Sequence, residues 1–302
     1  MQTILSHLGL AKEVTWGTAV AAAKWLPIKD FKPVDEIKYP LDQGKRGIAA
    51  LDFGAYQGTR LGNLDYGGDF FPDVPPYFLL GVLGKDTVTG VGPYTHAFQL
   101  DPAPPSFSIS DYYGVERQWA GARVSELGLK FATDTGMLEY GVKMLSKASA
   151  IVTTTTPTIG TTAPFLGWQA AFSVAGTGVV GRLLAYEVTF KRILKEIFGA
   201  NNSQDPSAIY VGGLEVTGKL TVDMPDDNEL LHYLNNDQPA IQVVLTSGTN
   251  TITILMTKCA FEKATIDRGQ EFVRLDAQIR GLYNTTDAGP AKVTVVNSVA
   301  TY

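Results

Sequence analysis

The chain is poor in the groups that most chemistry requires. One cysteine, Cys259, stands in 302 residues, which excludes an intrachain disulfide and a thiolate metal cluster. Only three histidines occur, His7, His96 and His232. They lie far apart, and none has a companion at metal-ligand spacing. Charged residues make up 18% of the chain and the net charge is −5. A surface that grips nucleic acid needs a basic excess, so tight phosphate binding is not expected. No run of eighteen apolar residues is present, so no membrane-spanning helix is expected. The opening Met1-Gln2-Thr3-Ile4-Leu5-Ser6-His7 lacks a basic stretch followed by an apolar core. Synthesis and folding in a cytoplasm, without a signal peptide, is therefore the expectation. No phosphate-loop motif appears, and no Gly-x-Gly-x-x-Gly precedes a helix.

What the chain does have is self-similarity. Leu61-Gly-Asn-Leu-Asp-Tyr-Gly-Gly corresponds without a gap to Val211-Gly-Gly-Leu-Glu-Val-Thr-Gly. The correspondence continues with Asp73 and Pro75 on Asp223 and Pro225, and Leu80 on Leu230. Gly212 follows Gly62 by 150 positions, about half the chain. A fixed internal period points to repeated structural units. Two modules are expected, residues 1–150 and 165–302, each large enough for a core of its own. Between them, residues 151–164 are rich in threonine, proline and glycine and read as an extended linker.

Period-two alternation dominates both halves. Leu127, Leu129 and Phe131 share one face, as do Leu138, Tyr140, Val142 and Met144. Tyr186, Val188 and Phe190 repeat the pattern, followed by Leu214 to Val222 and Val273 to Ile279. Such segments are strands with one buried and one wet face, paired antiparallel. Each half adds one short helix, over roughly 73–83 and 226–234, with Leu230, Leu231 and Leu234 facing the sheet. Residues 29–58 are long, polar and poorly periodic and read as a functional loop, with 193–207 as its counterpart. Residues 287–302 read as a last strand or a tail. Gly62, Gly67, Gly68, Gly212, Gly213 and Gly218 lie inside strand patterns, where bulges or bends are expected.

The candidates for chemistry have simpler structural readings. His7, His96 and His232 read as surface or satisfied histidines. Cys259 lacks an adjacent base and reads as a small packing residue. Asp226 and Asp227 form a possible carboxylate pair, but acidic residues also suit a helix start. Tyr112, Tyr113 and Trp119 could form a sugar platform, or the half-buried aromatics of a hairpin. Arg117, Arg123 and Lys130 form a possible basic strip, but Asp111, Glu116 and Glu126 interrupt it. No nucleophile, base and metal set emerges, so a non-enzymatic protein is expected, with no cofactor and no catalytic or metal residues.

Several phrases resemble the tail tube (major tail) proteins of long-tailed bacteriophages. They are Lys12-Glu13-x-x-x-Gly17-Thr18, Arg117-Gln-Trp-Ala-Gly-Ala-Arg-Val-Ser-Glu-Leu127 and Gly136-Met-Leu-Glu-Tyr-Gly-Val-Lys143. Leu184 to Arg192, leading through Gln204-Asp-Pro206 to Ile209-Tyr-Val-Gly212, belongs to the same set. The resemblance spans about Leu10 to Tyr283 and implies a mainly β fold. It implies two tandem sandwich or barrel modules, each with a short helix and a long stacking loop. It further implies a virion protein that self-assembles into stacked rings around a hollow lumen through which the genome leaves. Two modules per chain imply a trimeric, pseudo-hexameric ring, with a hexameric ring as the alternative. The partners implied are a tape-measure protein, a tail terminator and a distal tail protein, with DNA passing unbound through a neutral-to-acidic lumen. A tandem β-sandwich binding module, an adhesin or carbohydrate binder built on Tyr112, Tyr113 and Trp119, is the reading from another functional class.

Overall fold

A computed structural model describes residues 2–134, 136–160, 162–269 and 271–302. The first half contains β1 (His7–Lys12), β2 (Lys24–Leu26), β3 (Asp30–Ile37), β4 (Leu41–Asp42), β5 (Gly54–Ala55) and β6 (Arg60–Asp69). Helix α1 (Pro76–Leu83) follows, then β7 (Gly84–Thr89), β8 (Tyr94–Leu100), β9 (Phe107–Tyr112), β10 (Glu116–Ala132), β11 (Glu139–Ser146) and β12 (Ala150–Val152). The second half contains β13 (Ala170–Val174), β14 (Thr177–Gly178), β15 (Leu183–Ile197), β16 (Ala208–Asp223) and helix α2 (Asn228–Leu234). It ends with β17 (Ile241–Ser247), β18 (Asn250–Met256), β19 (Cys259–Asp267), β20 (Arg274–Gly281) and β21 (Lys292–Asn297). The fold is mainly β with two short helices. Its sheets stay open, as in a sandwich, and among the described residues none closes into a barrel.

The main sheet runs β19-β20-β16-β15-β10-β11-β6-β3, with every neighbouring pair antiparallel. Residues before the 151–164 segment supply one four-strand block and residues after it supply the other. The blocks join where β10 pairs with β15, Leu127 opposite Phe190 and Leu129 opposite Val188. Within each block the chain visits the strands in the same spatial order. The first strand (β3 or β15) pairs with the second (β6 or β16), a helix follows, and the last two (β10 and β11, or β19 and β20) complete the block. A second sheet, β14-β13-β17-β18-β21-β8-β7, also draws strands from both halves. The C-terminal segment forms its strand β21, between β18 and β8. One continuous apolar core lies between the layers, built from the alternating faces read in the sequence.

Three local expectations need correction. Residues 29–58 are not a loop throughout, because Asp30–Ile37 is strand β3, paired along its length with β6. Pro33 and four charged residues mask its alternation, yet Pro33 is tolerable because β3 is an edge strand. Gly62, Gly67, Gly68 and Gly218 do not mark bulges. At Gly67 the register is regular on both sides, and a Cβ would lie 2.8 Å from the Tyr140 carbonyl of the next strand. A bulge does occur beside Gly212 and Gly213, where the register shifts between Arg192 and Leu194. Finally, of the three α2 leucines only Leu230 packs on the core, while Leu231 and Leu234 are exposed. Helix α1, by contrast, is buried along its whole length.

The Glu13 phrase has a physical explanation. The Glu13 carboxylate is buried and accepts hydrogen bonds from Gly17 N (2.8 Å), Ser106 Oγ (2.7 Å), Ser108 Oγ (2.8 Å) and Gly121 N (2.7 Å). It ties the N-terminal segment to β9 and β10. Gly17 has φ +71°, and a Cβ there would meet Lys147, so the Glu-x-x-x-Gly spacing serves one tight turn.

Candidate assembly surface

The wet face of the main sheet is a lattice of alternating charge. Inward alternation places Glu126, Lys130, Glu139, Lys143, Glu187, Lys191, Glu215 and Lys219 on it. An open trough of about 350 Å³ crosses β6, β11 and β10 on this side, floored by Gly67, Gly128 and Gly141. Three of these four lysines have an acid within ion-pair distance. Lys143 Nζ lies 2.7 Å from Glu126, Lys130 3.4 Å from Glu139, and Lys219 3.5 Å from Glu187. Arg280 contacts both Glu215 and Glu262, and Lys29 joins Asp69 (2.6 Å) to Glu139 (2.9 Å). Across the junction of the two blocks, Glu126 stands opposite Lys191 and Lys130 opposite Glu187. The hydrogen bond from Lys29 holds the Glu139 carboxyl below its usual range, and the one to Glu126 raises Lys143.

The two ends of this sheet are bare. Among the described residues β3 pairs only with β6 and β19 only with β20, so each presents an outer row of backbone groups without a strand partner. Such edges invite pairing with another chain. Apolar side chains lie beside both, half-buried at β3 and exposed at β19. Phe31 and Ile28 border an open hollow next to β3, and Leu231, Tyr233 and Leu234 on α2 lie next to β19.

Two loops project from one end of the sheet. Residues 38–59 carry five exposed large apolar side chains, Tyr39, Leu41, Ile48, Leu51 and Tyr56. Residues 198–207 join β15 to β16, whose outer ends expose Ile193, Ile197 and Tyr210. The loop bases touch, since Arg60 pairs with Asp205 at 2.7 Å and Arg60 N donates to Gln204 O at 2.9 Å. Concentrated exposed apolar surface of this kind marks a contact region.

The other sequence candidates are dispersed. His96 is buried, with Nδ1 2.8 Å from Asp86 and Nε2 2.7 Å from the Val299 carbonyl, and so holds the C-terminal segment. His7 stacks on Tyr112 at 4.8 Å, and His232 lies against Phe261. Cys259 is fully buried, and desolvation pushes its thiol up to about 12. Asp226 precedes the α2 N-cap Asp227 and accepts from Asn228 N at 3.1 Å, a turn contact at the helix start. Trp119 is buried and donates to Asp35 at 2.8 Å, so it cannot form a platform with the exposed Tyr113. The three basic residues likewise separate. Arg117 bonds Tyr113 and Ser149, Arg123 bonds the Pro104 carbonyl, and Lys130 lies on the wet face. Among the described residues no group of three or more His, Cys, Asp or Glu could hold a metal ion.

Sequence reasoning missed the edge strand β3 and the pairing of β10 with β15. The only signal for β3 was the alternation Phe31, Pro33, Asp35, Ile37. The pairing joins residues some sixty apart, which no local pattern records.

No curated protein matches the chain. A family model described as phage tail tube protein matches residues 3–299. An open, charge-lined sheet with two bare edges and projecting apolar loops is thus the setting of a match that spans nearly the entire chain, and the chain belongs to the phage tail tube protein family.

Proposed function

We propose that this chain forms the wall of a phage tail tube as three-membered rings stacked along an axis. The observation that carries the reading is the main sheet. It contains two four-strand blocks of the same strand order, side by side and already paired, with one open edge at each end. Head-to-tail contacts of this type close into a ring when the rotation closes. In this reading residues 1–150 and 165–302 are two equivalent tube modules joined by residues 151–164, and each chain supplies one third of a pseudo-six-fold ring.

Dimensions separate three copies from six. Strands spaced about 4.8 Å apart and tilted about 36–45° give a barrel about 45–50 Å across for three copies of eight strands. Six such copies give about 90–100 Å by the same estimate. Once wall side chains are subtracted, the smaller ring passes one DNA duplex of about 20 Å, whereas the larger leaves most of its bore unused. The wet face lines the lumen, and the loops at 38–59 and 198–207 stack one ring on the next. Family membership supports the tail location. Host-cytoplasmic assembly, a tape-measure protein within and terminator and distal tail proteins at the ends belong to this proposal.

Electron microscopy of the purified full chain tests it. End-on averages with three-fold symmetry and six similar lobes around a central hole are the expected result. Six-fold averages with native ring masses of six chains would replace the trimer with the hexamer. Strictly monomeric particles at all concentrations would remove the proposal.

A further inference from the structure

The internal junction serves as a template for the contact between copies. We infer that β3 of one copy pairs antiparallel with β19 of the next, with Lys32 opposite Asp267, Val34 opposite Thr265 and Glu36 opposite Lys263. This rests on the ring reading above and adds to it a partner surface and a register.

The register follows from the hairpin ends. In the first block Asp69 stands opposite Glu139, and Glu139 opposite Lys130. In the second block Asp223 stands opposite Arg274, and Arg274 opposite Asp267. These are equivalent closing rows, each next to the turn that ends its hairpin. Asp69 therefore corresponds to Asp223, Lys130 to Asp267 and, through the β3–β6 and β15–β16 ladders, Phe31 to Tyr186. The segment of β15 that pairs with β10, residues 185–191, then corresponds to residues 30–36, nearly the whole of β3. Carrying the pairs Lys130–Glu187, Gly128–Thr189 and Glu126–Lys191 across this correspondence gives the three inferred rows.

Three independent features agree with it. First, the charges match. Each internal acid–base pair becomes an acid–base pair of reversed sign between copies, and neither Glu36 nor Lys263 has an ion-pair partner among the described residues. Second, the geometry is that of a closed barrel. The ladder row through Gly67 reaches Thr217 four strands away, whereas the residue equivalent to Gly67 is Thr221. A shift of about four residues over four strands is a tilt of about 35°, within the range of closed barrels. Equating residues simply by their separation of 150 would give no tilt and would set Lys32 opposite Lys258. Third, the surroundings are complementary. At the internal junction Arg192 meets the end of α1. Its equivalent in β3 is Ile37, which approaches the exposed Leu231 and Leu234 of the next copy's α2. The contact between copies is thus apolar where the internal one is polar.

Paired cysteines test the register. Val34→Cys with Thr265→Cys is expected to give, in oxidised assembled protein, disulfide-linked dimers and closed trimers on a non-reducing gel. Asp30→Cys with Ala260→Cys, the pair required by the offset of 150, is expected to give none. Buried Cys259 is left in place in one set and replaced by alanine in another. Separately, Glu36→Lys is expected to raise the assembly concentration about tenfold, and adding Lys263→Glu to restore most of it. Rings that form without the first cross-link, or with only the second, overturn the register and leave the ring reading standing. An uncross-linked wild-type chain that never assembles overturns both.

Discussion

Arg192 offers the sharpest test of how the two blocks are held together. Its guanidinium is buried at 3% exposure on β15. It donates to the carbonyls of Val82 (2.7 Å), Leu83 (2.9 Å) and Asp101 (2.6 Å), with a longer contact to Gly212 (3.3 Å). Two of these carbonyls end α1, where the helix leaves acceptors without intrahelical partners and a partial negative charge. Burial lowers the arginine pKa and the Asp101 charge opposes that effect. Arg192→Met keeps the apolar stem and removes the donors. Three acceptors lose a charged donor, at about 1–2 kcal/mol each, and relief of the guanidinium's desolvation offsets part of that. The net loss is about 2–4 kcal/mol. In a chain of this size that lowers the melting temperature by about 3–6 °C. Thermal and urea unfolding followed by circular dichroism, below the assembly concentration, measures it. Lys191→Met, one residue away on the wet face, is the control and is expected to stay within about 0.5 kcal/mol of the parent. If Arg192→Met also stays within about 0.5 kcal/mol, the arginine is not the clamp that joins the second block to the first.

Two further outcomes follow. Asp111 is buried on β9, and desolvation raises its carboxyl from 3.8 to about 6. A folded pKa above the unfolded one means that the folded state prefers the protonated acid. The contribution of Asp111 to stability is then greatest below about pH 4, falls as pH rises through about 6, and stays low above that. Asp111→Asn is expected to gain about 1–3 kcal/mol at pH 8 and almost nothing at pH 4. Equal effects at the two values would contradict the assignment. Replacing residues 40–57 by a short Gly-Ser turn spares β3 and the bond from Gly58 N to the Lys38 carbonyl (2.7 Å). The shortened chain is expected to keep its circular dichroism and form rings that fail to stack into tubes. Tubes of normal length would show that the loop does not stack.

The sequence disclosed elements better than it disclosed their neighbours. Long strands were legible because one face is core and the other is water, so Leu127, Leu129 and Phe131 alternate with polar residues over an uninterrupted stretch. β3 was not, because an edge strand faces solvent on one side and tolerates Pro33 and acids. The exposure of Leu231 and Leu234 was not legible either, since a leucine stripe looks the same whether its partner lies in the same chain or in another copy. Likewise, the charges of the wet face were visible as alternating Glu and Lys, but their partners came from strand order. Glu126 finds Lys143 seventeen positions away in a hairpin and faces Lys191 from the other block. The resemblance carried by Glu13 and Gly17 identified the family without indicating that the carboxylate's work is to hold a turn against β9 and β10.

In the proposed tube, the charge lattice also bears on how the lumen would pass DNA. A neutral-to-acidic wall repels phosphate by net charge, but this face is closer to a chequerboard. A lysine already within hydrogen-bond distance of a glutamate gains less from phosphate than a free one. Phosphate must displace that carboxylate, and the freed carboxylate then stands beside the phosphate. Binding to DNA draws its strength from cations that release condensed counterions, and a lattice of internal pairs contributes few such cations. Pairing most of the lysines locally keeps long-range fields weak as well, because opposite charges a few ångströms apart cancel within a Debye length of about 8 Å. A duplex passing such a wall therefore meets neither a strong barrier nor a deep well. That property depends on register. A slip of one residue between blocks would turn one block over relative to the other, so that Phe190 and its apolar neighbours would share a face with Glu126 and Lys130. In the proposed ring, the internal junction of β10 with β15 sets the assembly geometry and the face turned to the duplex together.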